Sequence, residues 1–279
     1  MTILVTGATG TVGRHIVGWL VRRGVVVRAL SRNQMAGGLP AGVHTVVGDL
    51  TSPVTLGPAL TEVTAMHLIS IGGDDYAPLQ TAPAILARAA DAGVRRVTVL
   101  TGTRDELAVA EAAAASGLEW THVRPVEFMA NKLAWAKSIR EEGVVRAPFA
   151  AQPHAIVDEA DVAAVIAAAL VENGHSGRTY TPTGPQLLTP VEAARVIGDV
   201  IGRDIQFAEL GLEQMREQMR ASGFDEQVID EVVAYGTHPP QVAYTVLSTV
   251  QDVTGRLART FDEWVAAHAD TFRTGVSRS

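Results

Sequence analysis

Short apolar runs alternate with longer amphipathic stretches through the first half of the chain. Predicted strands cover Thr2–Thr6, Val25–Leu30, Val43–Val47, Ala65–Ser70, Val97–Leu100 and Trp120–Val123. Predicted helices cover Val12–Arg23, Thr81–Ala92 and Glu106–Ser116. The strand runs lack polar alternation, which is typical of parallel strands that helices cover on both faces. This half of the chain therefore predicts βαβ crossovers and a doubly wound sheet.

The regularity of the pattern decreases after Pro125. Helices are predicted over Phe128–Glu142, Asp158–Val171, 190–201, Leu212–Ala221, Asp225–Tyr235 and Phe261–His268. Short strands are predicted at Arg178–Thr181 and Asp204–Leu210, and a Pro-containing connection is predicted over Gly143–Ile156. The second half shows no internal repeat and no low-complexity linker, so we expect it to be built onto the sheet.

A glycine-rich segment, Gly7-Ala8-Thr9-Gly10-Thr11-Val12-Gly13, connects the first predicted strand to the first predicted helix. The N–H groups and the dipole at a helix N-terminus favour phosphate. In such a turn Gly7 permits the tight bend, Gly10 lets the backbone approach the phosphates, and Gly13 lets helix and strand pack closely. The spacing is G-x-x-G-x-x-G, and its place in a strand–helix turn predicts a dinucleotide site. The residues expected to hold the pyrophosphate are Gly7, Thr9, Gly10, Thr11 and Val12.

These features predict an α/β fold: a doubly wound parallel Rossmann sheet with a smaller, mainly helical C-terminal substrate lobe. We expect residues 1–155 to form the dinucleotide-binding domain, with a further strand near 178–182. Residues 156–279 are expected to form most of the substrate lobe on the same core.

The end of the second strand predicts which dinucleotide binds. NAD-preferring sites place Asp or Glu there to bind the ribose 2′-hydroxyl. This chain has Ser31-Arg32-Asn33 instead, and the planar guanidinium of Arg32 suits a 2′-phosphate. We therefore expect NADP(H) as the cofactor, with an exposed surface arginine as the alternative interpretation of Arg32.

Two further segments end at the same edge of the predicted sheet. Asp49 and Leu50 follow the third strand and could bound the adenine, although Asp49 could instead cap the next turn. Ser70-Ile71-Gly72-Gly73 ends the fourth strand, where nearly bare backbone around Ile71 allows close approach of the cofactor. Ligands of open α/β sheets lie beyond the carboxyl ends of the strands, so we expect these segments to line one crevice.

Composition narrows the possible partners. A formal charge of −7 argues against a nucleic-acid surface, which needs clustered positive charge. The absence of cysteine excludes disulfides and thiolate metal sites, and we expect no other metal site either. The longest apolar run, Val162–Val171, is too short to span a membrane and predicts a buried helix. No signal peptide precedes the strand at Thr2, so we expect a cytoplasmic protein.

Together these residues resemble the short-chain dehydrogenase superfamily, in particular its atypical NmrA-like branch of NADPH quinone reductases and isoflavone-reductase-type proteins. The matching segments are the GATGTVG loop, Ser31–Asn33, Val47–Leu50, Ser116–Pro125, Phe128–Asn131 and Asp158–Ala163. The resemblance implies that Thr101, Gly102 and Pro125 flank the nicotinamide. It also implies that Phe128, Met129 and the C-terminal helices wall the substrate pocket.

The chain departs from the superfamily at the catalytic position. Typical members carry Tyr-x-x-x-Lys, in which the tyrosine exchanges a proton with the substrate. The residues four positions after the tyrosines of this chain are Gln80, Gly184, Pro239 and Ser248. The expected dyad positions fall near Thr103 and Leu107, and neither side chain can do this chemistry. No catalytic residue is therefore assigned; Thr103 is a candidate for hydrogen-bonding the acceptor.

Reduction of a quinone needs less proton chemistry, because water can protonate the hydroquinone anion. We therefore expect an NADPH-dependent oxidoreductase that transfers hydride to a quinone or a similar conjugated planar acceptor. A non-catalytic NADP(H)-binding redox sensor acting through a protein partner is the alternative. Tyr76 and His238 could contact a ligand in the pocket, and a structural role is the alternative for each. The expected partners are a small aromatic or quinone-like substrate and, as one option, a second copy in a homodimer, with no nucleic acid and no membrane.

Overall fold

The computed structural model describes residues 1–33, 38–74, 77–102 and 106–273. Its strands, in chain order, are β1 (Thr2–Val5), β2 (Val26–Ser31), β3 (His44–Val47), β4 (Ala65–Ile69), β5 (Ile71–Gly72), β6 (Ala77–Pro78), β7 (Arg96–Leu100), β8 (Glu119–Val123), β9 (Val144–Ala147), β10 (Arg178–Tyr180) and β11 (Gln206–Glu209).

The α-helices are α1 (Gly13–Arg22), α2 (Gly57–Leu60), α3 (Ala82–Asp91), α4 (Leu107–Ala115), α5 (Ala136–Glu142), α6 (Glu159–Val171), α7 (Pro190–Ile201), α8 (Leu212–Ala221), α9 (Glu226–Thr237), α10 (Thr249–Thr254), α11 (Phe261–Ala267) and α12 (Ala269–Phe272). Short 3-10 helices cover Pro53–Leu56, Met129–Trp135 and Gln241–Tyr244.

Seven strands form one parallel sheet in the order β10-β8-β7-β4-β1-β2-β3. The predicted α/β class and the parallel sheet are thus confirmed. The chain moves outward from β1 to β3 in one direction and from β4 to β10 in the other. The order therefore reverses between β1 and β4, and this reversal is the point at which open α/β sheets bind ligands.

Apolar burial explains why the central strands need no polar face. Ile3, Leu4 and Val5 of β1 are fully buried, and the core cluster that includes Leu4 continues through strands and helices to Val109 of α4. Helix α6 contacts α1, β4, β7 and β8, and nearly all of its residues are buried. An Ala-rich helix suits that place because its small side chains let the backbone lie close to its neighbours.

The chain divides into two compact units that alternate along the sequence. The first comprises Met1–Pro125, Glu159–Pro182 and Thr249–Arg256, and it contains the parallel sheet. The second comprises Val126–Asp158, Thr183–Ser248 and Leu257–Ser279. A cluster including Phe261, Trp264 and Phe272 forms the core of the second unit. The assignment of a substrate-binding lobe stays a prediction.

One local prediction in the second unit was wrong. Gly143–Ile156 was predicted to be a connection, but it contains β9, which pairs in parallel with β11. The partner strand lies far along the chain, so local pattern does not reveal the pairing. The helical prediction for Phe128–Glu142 is confirmed from Met129 onward, where the 3-10 helix Met129–Trp135 comes first and α5 follows.

Candidate functional site

The turn between β1 and α1 has the geometry that its glycines predict. Gly7 has a φ of +60°, which L side chains rarely adopt, and a Cβ there would lie 2.9 Å from Ile69 Cγ2. A Cβ on Gly13 would lie 2.0 Å from the Gly7 carbonyl oxygen. The Gly10 N–H donates to that same oxygen over 2.9 Å. The start of α1 is therefore pressed against a turn that side chains would force open.

The exposed part of this turn fits a phosphate. Thr9, Gly10 and Thr11 are exposed, whereas Ala8 and Val12 are buried and anchor the turn on each side. The N-cap residue of α1 is Val12, whose side chain makes no capping hydrogen bond. The positive end of the helix therefore faces outward at the point where the strand order reverses, and the residues present suit the pyrophosphate of a dinucleotide.

Arg32 follows β2 and is paired with a carboxylate. Its Nη1 lies 2.5 Å from Asp74 Oδ1, and the side chains are 47% and 98% exposed. Exposed ion pairs contribute little to stability, since water screens them and both side chains lose freedom. The guanidinium is thus held near the crevice by a partner that an arriving anion can replace.

Asp49 and Leu50 have structural roles after β3. Asp49 Oδ1 accepts a hydrogen bond from the Thr51 N–H over 2.8 Å, and the Asp49 N–H donates to Thr55 Oγ1 over 2.9 Å. Asp49 thus caps the turn that follows β3 through its Oδ1 oxygen, as the alternative interpretation expected. The Leu50 side chain is buried in the core cluster. Contact of either residue with adenine stays a prediction.

Beyond β4 and β7 the structure contains a polar group that sequence reasoning missed. Glu106, at the start of α4, is 8% exposed. Its Oε2 accepts hydrogen bonds from the Ser70 hydroxyl and, over 2.8 Å, from the Gly102 N–H. Gly102 was predicted to flank the nicotinamide, and Ile71 lies half-buried in β5 beside Ser70. The available signal in the sequence was an acidic pair, Asp105-Glu106, at the start of an Ala-rich helix.

Thr101 is buried at the end of β7 and is tied to the neighbouring strand. Its Oγ1 lies 2.7 Å from His122 Nε2, and its N–H donates to the Val123 carbonyl over 3.2 Å. Burial lowers the pKa of His122, and the nearby Arg124 guanidinium lowers it further. His122 is thus a neutral hydrogen-bonding partner that holds Thr101 in place. Pro125 is half-buried and ends the first part of this unit.

The predicted pocket residues of the second unit lie in different environments. Phe128 is half-buried, Met129 is fully buried in the core, and His238 is exposed at the end of α9. Met129 therefore packs against protein rather than forming an open surface. The remaining two candidates, Tyr76 and Thr103, lie outside the described residues.

The second unit also holds a mixed-charge cluster that the sequence did not reveal. Lys132 Nζ lies 2.6 Å from Glu127 Oε1, and His154 Nδ1 lies 3.8 Å from Glu127 Oε2. Burial lowers the pKa of His154, the Glu127 carboxylate raises it, and the Lys132 ammonium lowers it again. The His154 and Tyr235 rings lie 5.8 Å apart. This cluster ties the start of the unit to α9.

The described residues lack the features of two other kinds of site. No helix in that part of the chain combines the length and the apolar character needed to cross a membrane. No group of three or more His, Asp or Glu side chains within the same residues is placed to hold a metal ion.

Comparison with known proteins agrees with the geometry of the first unit. A family model described as NAD(P)H-binding matches residues 7–105. A Streptomyces griseus protein named (4-alkanoyl-5-oxo-2,5-dihydrofuran-3-yl)methyl phosphate reductase is 38% identical over 97% of this chain and 99% of that protein. An NAD(P)H azoreductase from Xenophilus azovorans is 35% identical over 97% of this chain and 99% of its own length.

Solved structures share the fold. An NADPH-dependent quinone oxidoreductase from Escherichia coli, in complex with NADPH, matches with a TM-score of 0.79 and 22% identity over 95% of this chain and 99% of that chain. A Citrobacter sp. triphenylmethane reductase in complex with NADP(H) matches with a TM-score of 0.78 and 22% identity, over 96% of this chain and 100% of its own. At this identity the likeness concerns the fold.

Proposed function

The chain belongs to the NAD(P)H-binding reductases of the atypical, NmrA-like short-chain dehydrogenase branch, and from this premise we propose that it transfers hydride from NADPH to a quinone or similar conjugated planar acceptor. The observation that carries the proposal is the constrained Gly7–Gly13 turn, placed where the strand order reverses, with Arg32 after the next strand. When bound, NADPH supplies the hydride.

The residues of the first unit would hold the cofactor along the carboxyl edge of the sheet. The backbone of Gly7 and of 9–12 would bind the pyrophosphate, and Arg32 would exchange its Asp74 partner for the 2′-phosphate. On the side of β3, Asp49 and Leu50 would bound the adenine. The residues proposed for the nicotinamide side are Ile71, Thr101, Gly102 and Pro125.

Two facts support the proposed acceptor class. This chain has no Tyr-x-x-x-Lys, so its tyrosines offer no lysine-assisted proton donor for a simple ketone. The relatives are named for an azo compound and for an alkanoyl-substituted dihydrofuranone, and both are conjugated systems. In such acceptors the charge left by hydride addition is delocalised, and water can supply the balancing proton. The protein's part is then to bind, orient and exclude bulk water.

The activity is tested by NADPH oxidation with a panel of a quinone, an azo dye and an alkanoyl-dihydrofuranone phosphate, with NADH alongside. We expect turnover with NADPH on at least one conjugated acceptor, and loss of that turnover in Gly10→Val, whose side chain would occupy the phosphate turn. Tight NADPH binding without turnover on any acceptor would favour the redox sensor instead. Failure to bind either dinucleotide would refute the proposal.

Cofactor choice is tested by Arg32→Asp, measured as the ratio of NADPH to NADH affinity. A carboxylate there would attract the 2′-hydroxyl and repel the 2′-phosphate, so we expect the ratio to fall by about tenfold or more, which is about 1.4 kcal/mol. Arg195→Asp makes the same charge change at an exposed position of α7 and should leave the ratio unchanged. An unchanged ratio in Arg32→Asp would refute the assignment of Arg32.

A further inference from the structure

The buried carboxylate of Glu106 joins the ends of two neighbouring strands. Ser70 directly follows β4, and Gly102 lies two residues beyond the end of β7. Both donate to the same oxygen of Glu106, which is 8% exposed. A carboxylate placed this way keeps much of its field, because little water screens it.

The strand order determines which part of a bound dinucleotide this carboxylate would meet. Arg32 follows β2, on one side of the reversal between β1 and β4, whereas Ser70 and Gly102 follow strands on the other side. A dinucleotide with its 2′-phosphate at Arg32 and its pyrophosphate at the Gly7–Gly13 turn directs its second nucleotide towards β4 and β7. In that binding mode Glu106 lies on the nicotinamide side of the crevice.

We propose that Glu106 makes the site discriminate between the two redox states of the cofactor, favouring NADP⁺ relative to NADPH. The inference rests on the proposed function. The nicotinamide ring is positively charged when oxidised and neutral when reduced, and a fixed negative charge stabilises the oxidised form more. Glu106 acts on the nicotinamide ring through its electric field, and it favours hydride donation by this protein over the reverse reaction.

A purely structural role predicts a different result. If Glu106 merely ties Ser70 to Gly102, its loss would weaken binding of both redox states equally. The informative quantity is therefore the ratio of two dissociation constants, Kd for NADP⁺ over Kd for NADPH. Both constants can be measured by titration without any turnover.

The test compares the wild type with Glu106→Gln, Glu106→Asp and Glu111→Gln. Gln keeps an acceptor oxygen but removes the charge, and we expect the Kd ratio to rise about tenfold, which corresponds to about 1.4 kcal/mol. Asp keeps the charge and should keep the ratio within about threefold of the wild type. Glu111 is exposed on α4, so its Gln variant controls for charge removal on the same helix.

Three outcomes would overturn the proposed role of Glu106. A ratio in Glu106→Gln that equals that of Glu111→Gln overturns the inference while leaving the proposed function intact. A tenfold rise in Glu106→Asp, which retains the charge, also overturns it, and this arm decides if the Gln variant fails to fold. A wild type that binds neither NADP⁺ nor NADPH overturns both this inference and the proposed function.

Discussion

Gly13→Ala tests whether close packing of α1 on the preceding turn is a requirement of the fold and the site. The added methyl carbon would lie 2.0 Å from the Gly7 carbonyl oxygen and 2.7 Å from the Gly7 carbonyl carbon. Both are backbone atoms, so no side chain can rotate away to relieve the contact. Either the start of α1 must move outward or the turn at Gly7 must open.

The size of the effect follows from that overlap. Overpacking by a single added carbon typically costs about 1–3 kcal/mol of unfolding free energy. The same movement displaces the N–H groups at the start of α1, so we expect NADPH affinity to fall by about tenfold as well. Stability and binding should therefore be lost together.

Gly18→Ala is a matched control in the middle of the same helix. Its methyl carbon would meet the flexible end of Arg22, with Nη1 3.2 Å away. Replacing a helix-interior glycine by alanine stabilises by about 0.5–1 kcal/mol. We therefore expect the two variants to change the unfolding free energy in opposite directions. Urea denaturation measures the unfolding free energy, and titration measures NADPH binding. If Gly13→Ala matches Gly18→Ala in both stability and affinity, the contact does not constrain the site and the reasoning is wrong.

Three further predictions concern side chains whose contacts or burial the structure describes. Asp74→Asn should raise NADPH affinity relative to NADH, since it removes the carboxylate that competes for Arg32; an unchanged affinity ratio by titration would contradict this. Burial lowers the pKa of His67 to about 3, so the unfolded chain binds a proton that the folded chain excludes. The neutral buried His67 therefore contributes stability that is present above pH 6.5 and is lost as pH falls towards 3. Between pH 7.5 and 5 the free energy of unfolding should fall by about 2 kcal/mol for this reason. His67→Gln should reduce this pH dependence, measured by denaturation at several pH values. Thr189→Ala should cost about 1 kcal/mol of unfolding free energy by removing the N-cap of α7, measured by urea denaturation.

Features of the fold that depend on neighbouring residues were predictable from the sequence. The Gly7–Gly13 segment predicts its own turn, because only glycine tolerates both a positive φ and a backbone approach as close as that of Gly13. Thr189 followed by Pro190 and Glu192 likewise predicts a helix start, and the structure shows the full capping box. In both cases the physical cause lies within a few residues of the signal.

Features that depend on distant partners were not predictable in this way. Strand β9 exists through its pairing with β11, whose residues lie about sixty positions later in the chain. Glu106 acquires its burial and its Ser70 bond only after β4 and β7 become neighbours in the sheet. Arg32 was assigned from its strand position, but its pairing with Asp74 depends on how the segment after β5 folds. Local periodicity carries no information about such pairings.

The charges along the carboxyl edge of the sheet suggest how the orientation of the cofactor is set. The guanidinium of Arg32 follows β2, and the buried carboxylate of Glu106 lies beyond β4 and β7, so the two charges flank the neutral, glycine-rich turn after β1. In the proposed binding mode the phosphate-rich adenosine end meets the cation, while the end that becomes positive on oxidation meets the anion. The reversed orientation would place the 2′-phosphate beside a buried carboxylate, and like charges in a poorly solvated place repel strongly. The same two side chains that discriminate between cofactors would therefore also exclude the wrong binding direction.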